Sequence, residues 1–263
     1  MSPPADISGD LVADLRVAID RRQFEPALQP IVHVHDRTIA GFEALARWRR
    51  GPDDVVPAGV FVDEAERSGL LPAIQGQVLG RALEVLCEWH AVGPDRSHAY
   101  VTLNFSASEL VAEGMIESLL RSMAVVGLGP ESVVIELTEG AFVSSPELAA
   151  DRLSHLNRLG FRIALDDFGT GFSSLTHLRS FPVHLVKIDR SFVSDLTPEL
   201  GPFSVAAATV QLAMVLGLDV VAEGVETEVN AGVLEDIGVG LAQGYLYSRP
   251  LLRDQVLQLP LGF

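Results

Sequence analysis

An α/β chain closed into a modified (β/α)8 barrel of the TIM type, with an antiparallel first strand, is the fold that the sequence predicts. Three observations carry this expectation. The chain has 263 residues, the size of one such barrel. From Tyr100 onward, short apolar runs alternate with helical segments, the mark of a parallel sheet covered on both faces. The two β-rich runs before Tyr100 are joined only by His35-Asp36-Arg37-Thr38, too short a link for a parallel crossover.

The elements follow in order. Residues 1–7 read as a proline-containing tail, and the barrel is expected over 8–263. Asp10–Arg22 carries Leu11, Leu15, Ala18 and Ile19 at helical spacing. Leu28–His35 and Ile39–Trp48 form the antiparallel opening pair. Pro57–Ser68, opened by its proline, and Leu71–His90 read as helices. Further strands are expected at Tyr100–Asn104, Ser132–Leu137, Arg162–Leu165, Leu185–Ile188, Val220–Ala222 and Leu241–Ala242. Helices are expected at Ala107–Val125, Pro146–Leu159, Phe203–Leu216 and Glu226–Asp236. Eight strands in this length give about 33 residues per unit, close to one β/α repeat of a barrel.

Composition narrows the function. Hydrophobic residues make up 48% and charged residues 21%, a globular balance. A net charge of −16 argues against a groove for a nucleic-acid polymer, but not against a small phosphorylated ligand whose charge is offset by metal ions. The single cysteine, Cys87, excludes a disulfide framework and fits a reducing compartment. No basic-then-apolar leader opens the chain, so a cytoplasmic protein is expected. The uncharged stretch Leu200–Leu218 contains Pro202, Thr209 and Gln211, and reads as a packed helix without membrane insertion.

Function is most legible at the strand ends. The second strand carries Glu43, the third ends at Asn104, the fourth carries Glu136, and the fifth runs into Asp166-Asp167. The sixth ends in Lys187-Ile188-Asp189, the seventh at Glu223, and the eighth in Gln243-Gly244-Tyr245. In a barrel these ends open on one face, where active sites of the fold sit. Converging carboxylates repel unless cations separate them, and hard oxygen ligands suit Mg2+ or Mn2+. Two such ions about 3.5–4 Å apart are a known solution for phosphoryl transfer, and the adjacent Asp166-Asp167 pair suits them. Lys187 could orient the attacking water and offset developing charge. One acid alone, such as Glu226, reads as readily as a solvated loop residue. The whole set, in apolar surroundings such as Ile163-Ala164-Leu165, does not. The loop from Phe168 to Leu175, with Gly169 and Gly171, reads as a mobile active-site loop. His33 and His35 share a strand face but lack a third partner for a metal.

These motifs together resemble the EAL domain, the phosphodiesterase module that acts on cyclic di-GMP. The resemblance rests on Gln29-Pro30-Ile31, Glu43-Ala44-Leu45 with Arg47, Asn104-Phe105-Ser106, Glu136-Leu137-Thr138-Glu139 and Asp166-Asp167-Phe168-Gly169-Thr170-Gly171. It continues through Lys187-Ile188-Asp189, Ala222-Glu223-Gly224-Val225-Glu226, Gln243-Gly244-Tyr245 and Arg249-Pro250. It covers essentially residues 10–255. Leu28 stands where the family commonly has an aromatic residue, and Gly140 where it often has a serine.

The resemblance implies a cytoplasmic, metal-dependent hydrolase that converts cyclic di-GMP to linear 5′-pGpG with two Mg2+ or Mn2+ ions. It implies Glu43, Asn104, Glu136 and Asp166 on one ion, and Asp166, Asp167 and Glu223 on the other. Lys187 and Gln243 would hold the water-side network, Arg47 would meet a phosphate, and Gln29, Leu45 and Pro250 would line the ligand site. Glu139 would anchor the loop that carries Asp167. A homodimer is implied near Ser173–Arg179 and Phe203–Leu216. The competing readings are a receptor that binds cyclic di-GMP without cleaving it, and an unrelated two-metal barrel phosphodiesterase.

Overall fold

Alternation along the strands becomes a closed sheet. The computed structural model describes residues 10–138, 146–168, 181–194, 196–197, 199 and 204–263. Its strands are β1 (Phe24–His33), β2 (Ile39–Arg49), β3 (Val55–Pro57), β4 (Tyr100–Phe105), β5 (Val133–Thr138), β6 (Arg162–Phe168), β7 (Leu185–Ile188), β8 (Asp219–Ala222) and β9 (Leu241–Ala242). They lie in the order β1-β9-β8-β7-β6-β5-β4-β2-β3, and a further β1–β2 pairing closes eight of them into a barrel. β1 runs antiparallel to both its neighbours, β2 and β9. All other pairings around the barrel are parallel. The expected antiparallel first strand is therefore present. β3, which the sequence reading did not single out, pairs with Arg47–Arg49 of β2, beyond the point where the β2–β4 ladder ends at Ala44.

Successive side chains of a strand point to opposite faces, and both faces here are buried. Outward-facing Phe42, Val101, Leu103, Ile135, Ile163, Val186 and Val220 pack against helix residues such as Leu83, Leu86, Trp89, Leu119 and Leu153. Fully burying one such leucine or valine contributes roughly 1.5–3 kcal/mol relative to exposing it. Inward-facing Ile31, Tyr100, Val134, Ala164, Leu185, Val221 and Leu241 form a separate apolar layer, one residue from each of seven strands. Two positions further along the same faces stand Thr102, Glu136, Asp166, Lys187, Glu223 and Gln243. On the reversed strand β1 the same offset runs backwards, from Ile31 to Gln29.

A second core fixes the helix that flanks the opening pair. Phe24, Trp48 and Phe61 pack with Leu15 and Ala18 of α1 (Leu11–Asp20), and with Leu71, Ile74 and Val78 of α3 (Leu71–Ala91). Gln77 of α3 donates to the Ile19 carbonyl at 2.8 Å and accepts from the Phe24 N–H at 3.3 Å.

Three local differences from expectation have physical causes. The segment Ala107–Val125 is two helices, Ala107–Val111 and Met115–Val126. Gly114 between them adopts a left-handed φ of 75° that continues neither. Pro57–Ser68 opens with a 3-10 turn, Ala58–Val60, before α2 (Val62–Arg67). The helix Val205–Leu216, capped by Ser204, buries only one side: Ala206, Val210 and Ala213 face the core, while Val205, Met214 and Val215 are exposed. Among the described residues no helix is long and apolar enough to cross a membrane. Glu139, Gly140, the loop from Gly169 to Leu175 and the segment Ser173–Arg179 lie outside the described residues, as does the side chain of Asp167.

Candidate active site

The mouth of the barrel is built from residues at or just past the strand ends. Glu43 faces inward from β2, Asn104 from β4, Glu136 from β5, Asp166 from β6 and Lys187 from β7. Glu223 and Gln243 follow the last residues of β8 and β9, held by backbone bonds to the preceding strands. The Glu223 N–H donates to the Ile188 carbonyl at 3.0 Å, and the Gln243 N–H to the Ala222 carbonyl at 2.8 Å. Gln29 stands directly opposite Glu43, and Asn104 opposite Glu136, in the strand registers. The β6–β7 ladder shifts register between Leu165 and Phe168, and Asp166-Asp167 occupies that irregularity. Gly244 is required by close approach: a Cβ there would lie 2.1 Å from the Val225 carbonyl oxygen.

Lys187 is the hub. Its ammonium lies 2.5 Å from Glu136 Oε1, 2.5 Å from Glu223 Oε1, 3.5 Å from Asp166 Oδ1 and 3.6 Å from Glu43 Oε2. Glu43 is held further by amides. Asn104 donates to its Oε1 at 3.1 Å and Gln243 to its Oε2 at 2.5 Å. The same Gln243 amide nitrogen lies 3.0 Å from Gln29 Oε1, and Gln29 donates to the Ser248 carbonyl at 3.1 Å. Six of the expected residues thus join one connected network around Lys187: Gln29, Glu43, Asn104, Glu136, Glu223 and Gln243. Asp166 reaches it through the ammonium.

Electrostatics set these groups apart. Burial pushes the Glu136 carboxyl well above its usual range; Lys187 opposes the shift, and the neighbouring acids add to it. Burial likewise pushes Glu223 up to about 7. Glu43 is as deeply buried, yet Lys187 and the amides of Gln243 and Asn104 outweigh that burial and hold it below the usual range. Burial works against the Lys187 ammonium, but the surrounding carboxylates win and keep it charged far above its ordinary value. One cation therefore faces four carboxylates, and the cluster carries excess negative charge.

That excess fits further cations. Glu136 Oε2 and Asp166 Oδ1 are buried without a hydrogen-bond partner among the described residues. The donor set is hard oxygen throughout, with the Asn104 amide beside it, the chemistry that suits Mg2+ or Mn2+. Among the described residues no three His, Cys, Asp or Glu side chains already form a metal-ligating group. The ammonium itself stands between the carboxylates.

Of the remaining expected residues, Arg47, Leu45 and Pro250 are described and stand outside this network. Arg47, half-buried, donates from Nη1 to its neighbour's carbonyl, Ala46, at 2.9 Å, and makes no contact with the carboxylates. Burial lowers its pKa. Leu45 is half-buried beside it. Reciprocal backbone bonds between Leu28 and Leu251, 2.7 and 2.9 Å, bring Pro250 beside Gln29. The sequence reading missed two participants. Ser248 acts through its carbonyl, which leaves no trace in side-chain identity. Thr102 is 1% exposed, and its hydroxyl lacks a partner among the described residues. Period-two alternation back from Asn104 would have found it.

Comparison with known proteins shows the same fold elsewhere. A family model described as the EAL domain matches residues 12–250. A bifunctional diguanylate cyclase/cyclic di-GMP phosphodiesterase, MucR of Pseudomonas aeruginosa, is 34% identical over 249 residues, covering 94% of this chain and 36% of the relative. The cyclic di-GMP phosphodiesterase NbdA of the same organism is 35% identical over 238 residues, covering 90% of this chain and 30% of the relative. The chain thus spans about a third of the length of these relatives. A solved structure titled PaMucR phosphodiesterase, c-di-GMP complex, superposes with a TM-score of 0.86 at 33% identity, covering 94% of this chain and 99% of the other.

Proposed function

The chain belongs to the EAL domain family, and we propose that it hydrolyses cyclic di-GMP to linear 5′-pGpG. The observation that carries this reading is the convergence of Glu43, Glu136, Asp166 and Glu223 on Lys187 at the open end of the barrel. A 5′-phosphorylated product means that water oxygen adds to phosphorus and the P–O3′ bond breaks. The 3′-oxygen leaves and takes up a proton.

In this reading Glu43, Asn104, Glu136 and Asp166 would hold one divalent ion, and Asp166, Asp167 and Glu223 would hold a second. Two Mg2+ or Mn2+ ions, when bound, would activate water and stabilise the leaving oxygen. The protein's own groups do the rest. Lys187, kept charged by its carboxylates, balances negative charge as the phosphorane forms. Gln243, tied to Glu43, orients the attacking water. Arg47 forms no salt bridge among the described residues and is available to a phosphate. Gln29, Leu45 and Pro250 would line the ligand site, and Glu139 would anchor the loop that carries Asp167.

We extend the proposal to a cytoplasmic location and to a homodimer, the latter supported by exposed Val205, Met214 and Val215, which are 51%, 63% and 84% accessible. Sedimentation at micromolar concentration tests it, and a monomer there would count against it. For the activity, the test is turnover of cyclic di-GMP with Mg2+ or Mn2+, followed by product identification. Tight binding without turnover would favour the non-hydrolysing receptor.

A further inference from the structure

We infer that Gln75 is a positioning residue for this site, acting through the main chain of Asn104. Gln75 lies on α3, outside every motif that marks the strand ends. Its Nε2 donates to the Asn104 carbonyl at 2.8 Å. Asn104 in turn donates from its side chain to Glu43 Oε1 at 3.1 Å. A helix side chain is thus one backbone carbonyl away from the carboxylate cluster.

The location gives the bond its importance. The β2–β4 ladder ends at Leu103, one residue short of Asn104. Two residues beyond Asn104, the Ser106 N–H is held by Glu109 Oε2 at 3.0 Å within a capping box. β5 still pairs with Asn104 and Phe105, but the end of β4 is otherwise held by two side chains, Gln75 before Phe105 and Glu109 after it. Gln75, Phe105 and Glu109 also border a cavity of about 230 Å3. On the side that faces β2, where the ladder has ended, side-chain hydrogen bonds rather than strand pairing hold this peptide. Gln75 itself is fixed: its neighbours Ile74 and Val78 are buried in the second core, and Gln77 ties the helix to Ile19 and Phe24. A donor on a rigid helix can set a functional side chain within fractions of an ångström, where a mobile one cannot.

Gln75→Met keeps the length and volume of the side chain and removes the donor. The kinetic arm of the test rests on the hydrolase reading; the metal arm does not. Expected for Gln75→Met are an about tenfold fall in kcat, a KM unchanged within about twofold, and an about tenfold weaker Mn2+ affinity measured by calorimetry without substrate. Circular dichroism and Tm should stay near wild type. Gln75→Ala should give the same split if Gln75→Met disturbs packing. The metal titration is repeated in an Asn104→Ala background, where Gln75→Met should have no further effect. Wild-type kcat and Mn2+ affinity in Gln75→Met would overturn the inference, as would an undiminished effect in the Asn104→Ala background. A wild-type chain that binds Mn2+ but does not turn over cyclic di-GMP would defeat the hydrolase reading alone, leaving the metal titrations to decide this one.

Discussion

The Lys187 ammonium lies 2.5 Å from Glu136 Oε1, and the side chains are 1% and 0% exposed. Breaking a buried pair by removing one partner costs about 3–5 kcal/mol, because the other charge is left uncompensated. Glu136, already pushed up by burial, offsets part of that cost by taking up a proton. Lys187→Met should therefore lose stability near the lower end of that range, about 3 kcal/mol, in urea titrations of chelated protein. Turnover should fall by about a thousandfold, since the cluster's one cation is gone. An unchanged unfolding midpoint would contradict the pairing.

Glu43 is joined to Asn104, Gln243 and Lys187 at once. Glu43→Ala should abolish turnover while circular dichroism still reports the folded barrel. Unchanged turnover at saturating Mg2+ would rule out its proposed role.

Chelation should silence the protein reversibly, and Mg2+ or Mn2+ should restore it. Ca2+ is larger and less strict in geometry, so it should occupy the site yet support poor catalysis. Full activity after exhaustive chelation would refute the metal mechanism.

Glu139 lies three residues beyond Glu136 and just past the end of β5 at Thr138. If it anchors the loop beside Asp167, Glu139→Ala should lower turnover by about tenfold. It should also weaken the second ion in metal titrations more than the first. Wild-type kinetics for this variant would refute the anchoring role.

His184 supplies a pH dependence away from the site. Its Nδ1 accepts from the Ile163 N–H at 3.1 Å, which requires the neutral ring. Burial, together with Arg162, lowers its pKa from 6.5. A depressed histidine resists protonation in the folded state only. Its contribution is therefore fully present above the unfolded value and is lost as pH falls through the folded one. NMR titration should place its midpoint below 6.5. The stability difference between wild type and His184→Asn should change as pH falls below 6.5.

Much of this was legible in the sequence because strands announce themselves twice, by apolar alternation and by the polar residue that ends each one. Leu185–Ile188 and Leu241–Ala242 stand where the sequence put them, and their neighbours shift by one to four residues at the ends. The reversed first strand followed from the four residues between Val34 and Ile39. Less legible were features that depend on three-dimensional neighbours. β3 exists because β2 outlasts β4, and no local pattern in Val55–Pro57 says so. The helix break at Gly114 needed a φ that sequence alone leaves open. Ser248 and Gln75 touch the site network through main-chain oxygens, one as acceptor and one as donor.

The apolar layer of Ile31, Tyr100, Val134, Ala164, Leu185, Val221 and Leu241 beneath the carboxylates gives the barrel a floor. Among the described residues that floor closes the path from Glu136 along the barrel axis, so under the proposed function ions, substrate and product would share the doorway at the open end. Traffic through that doorway is necessarily sequential. A bound dinucleotide would cork the ions beneath it, so that ion exchange slows sharply while ligand is seated. Under the proposed function, the cluster should load before substrate arrives and stay loaded until product departs, giving an ordered cycle imposed by a floor of seven side chains.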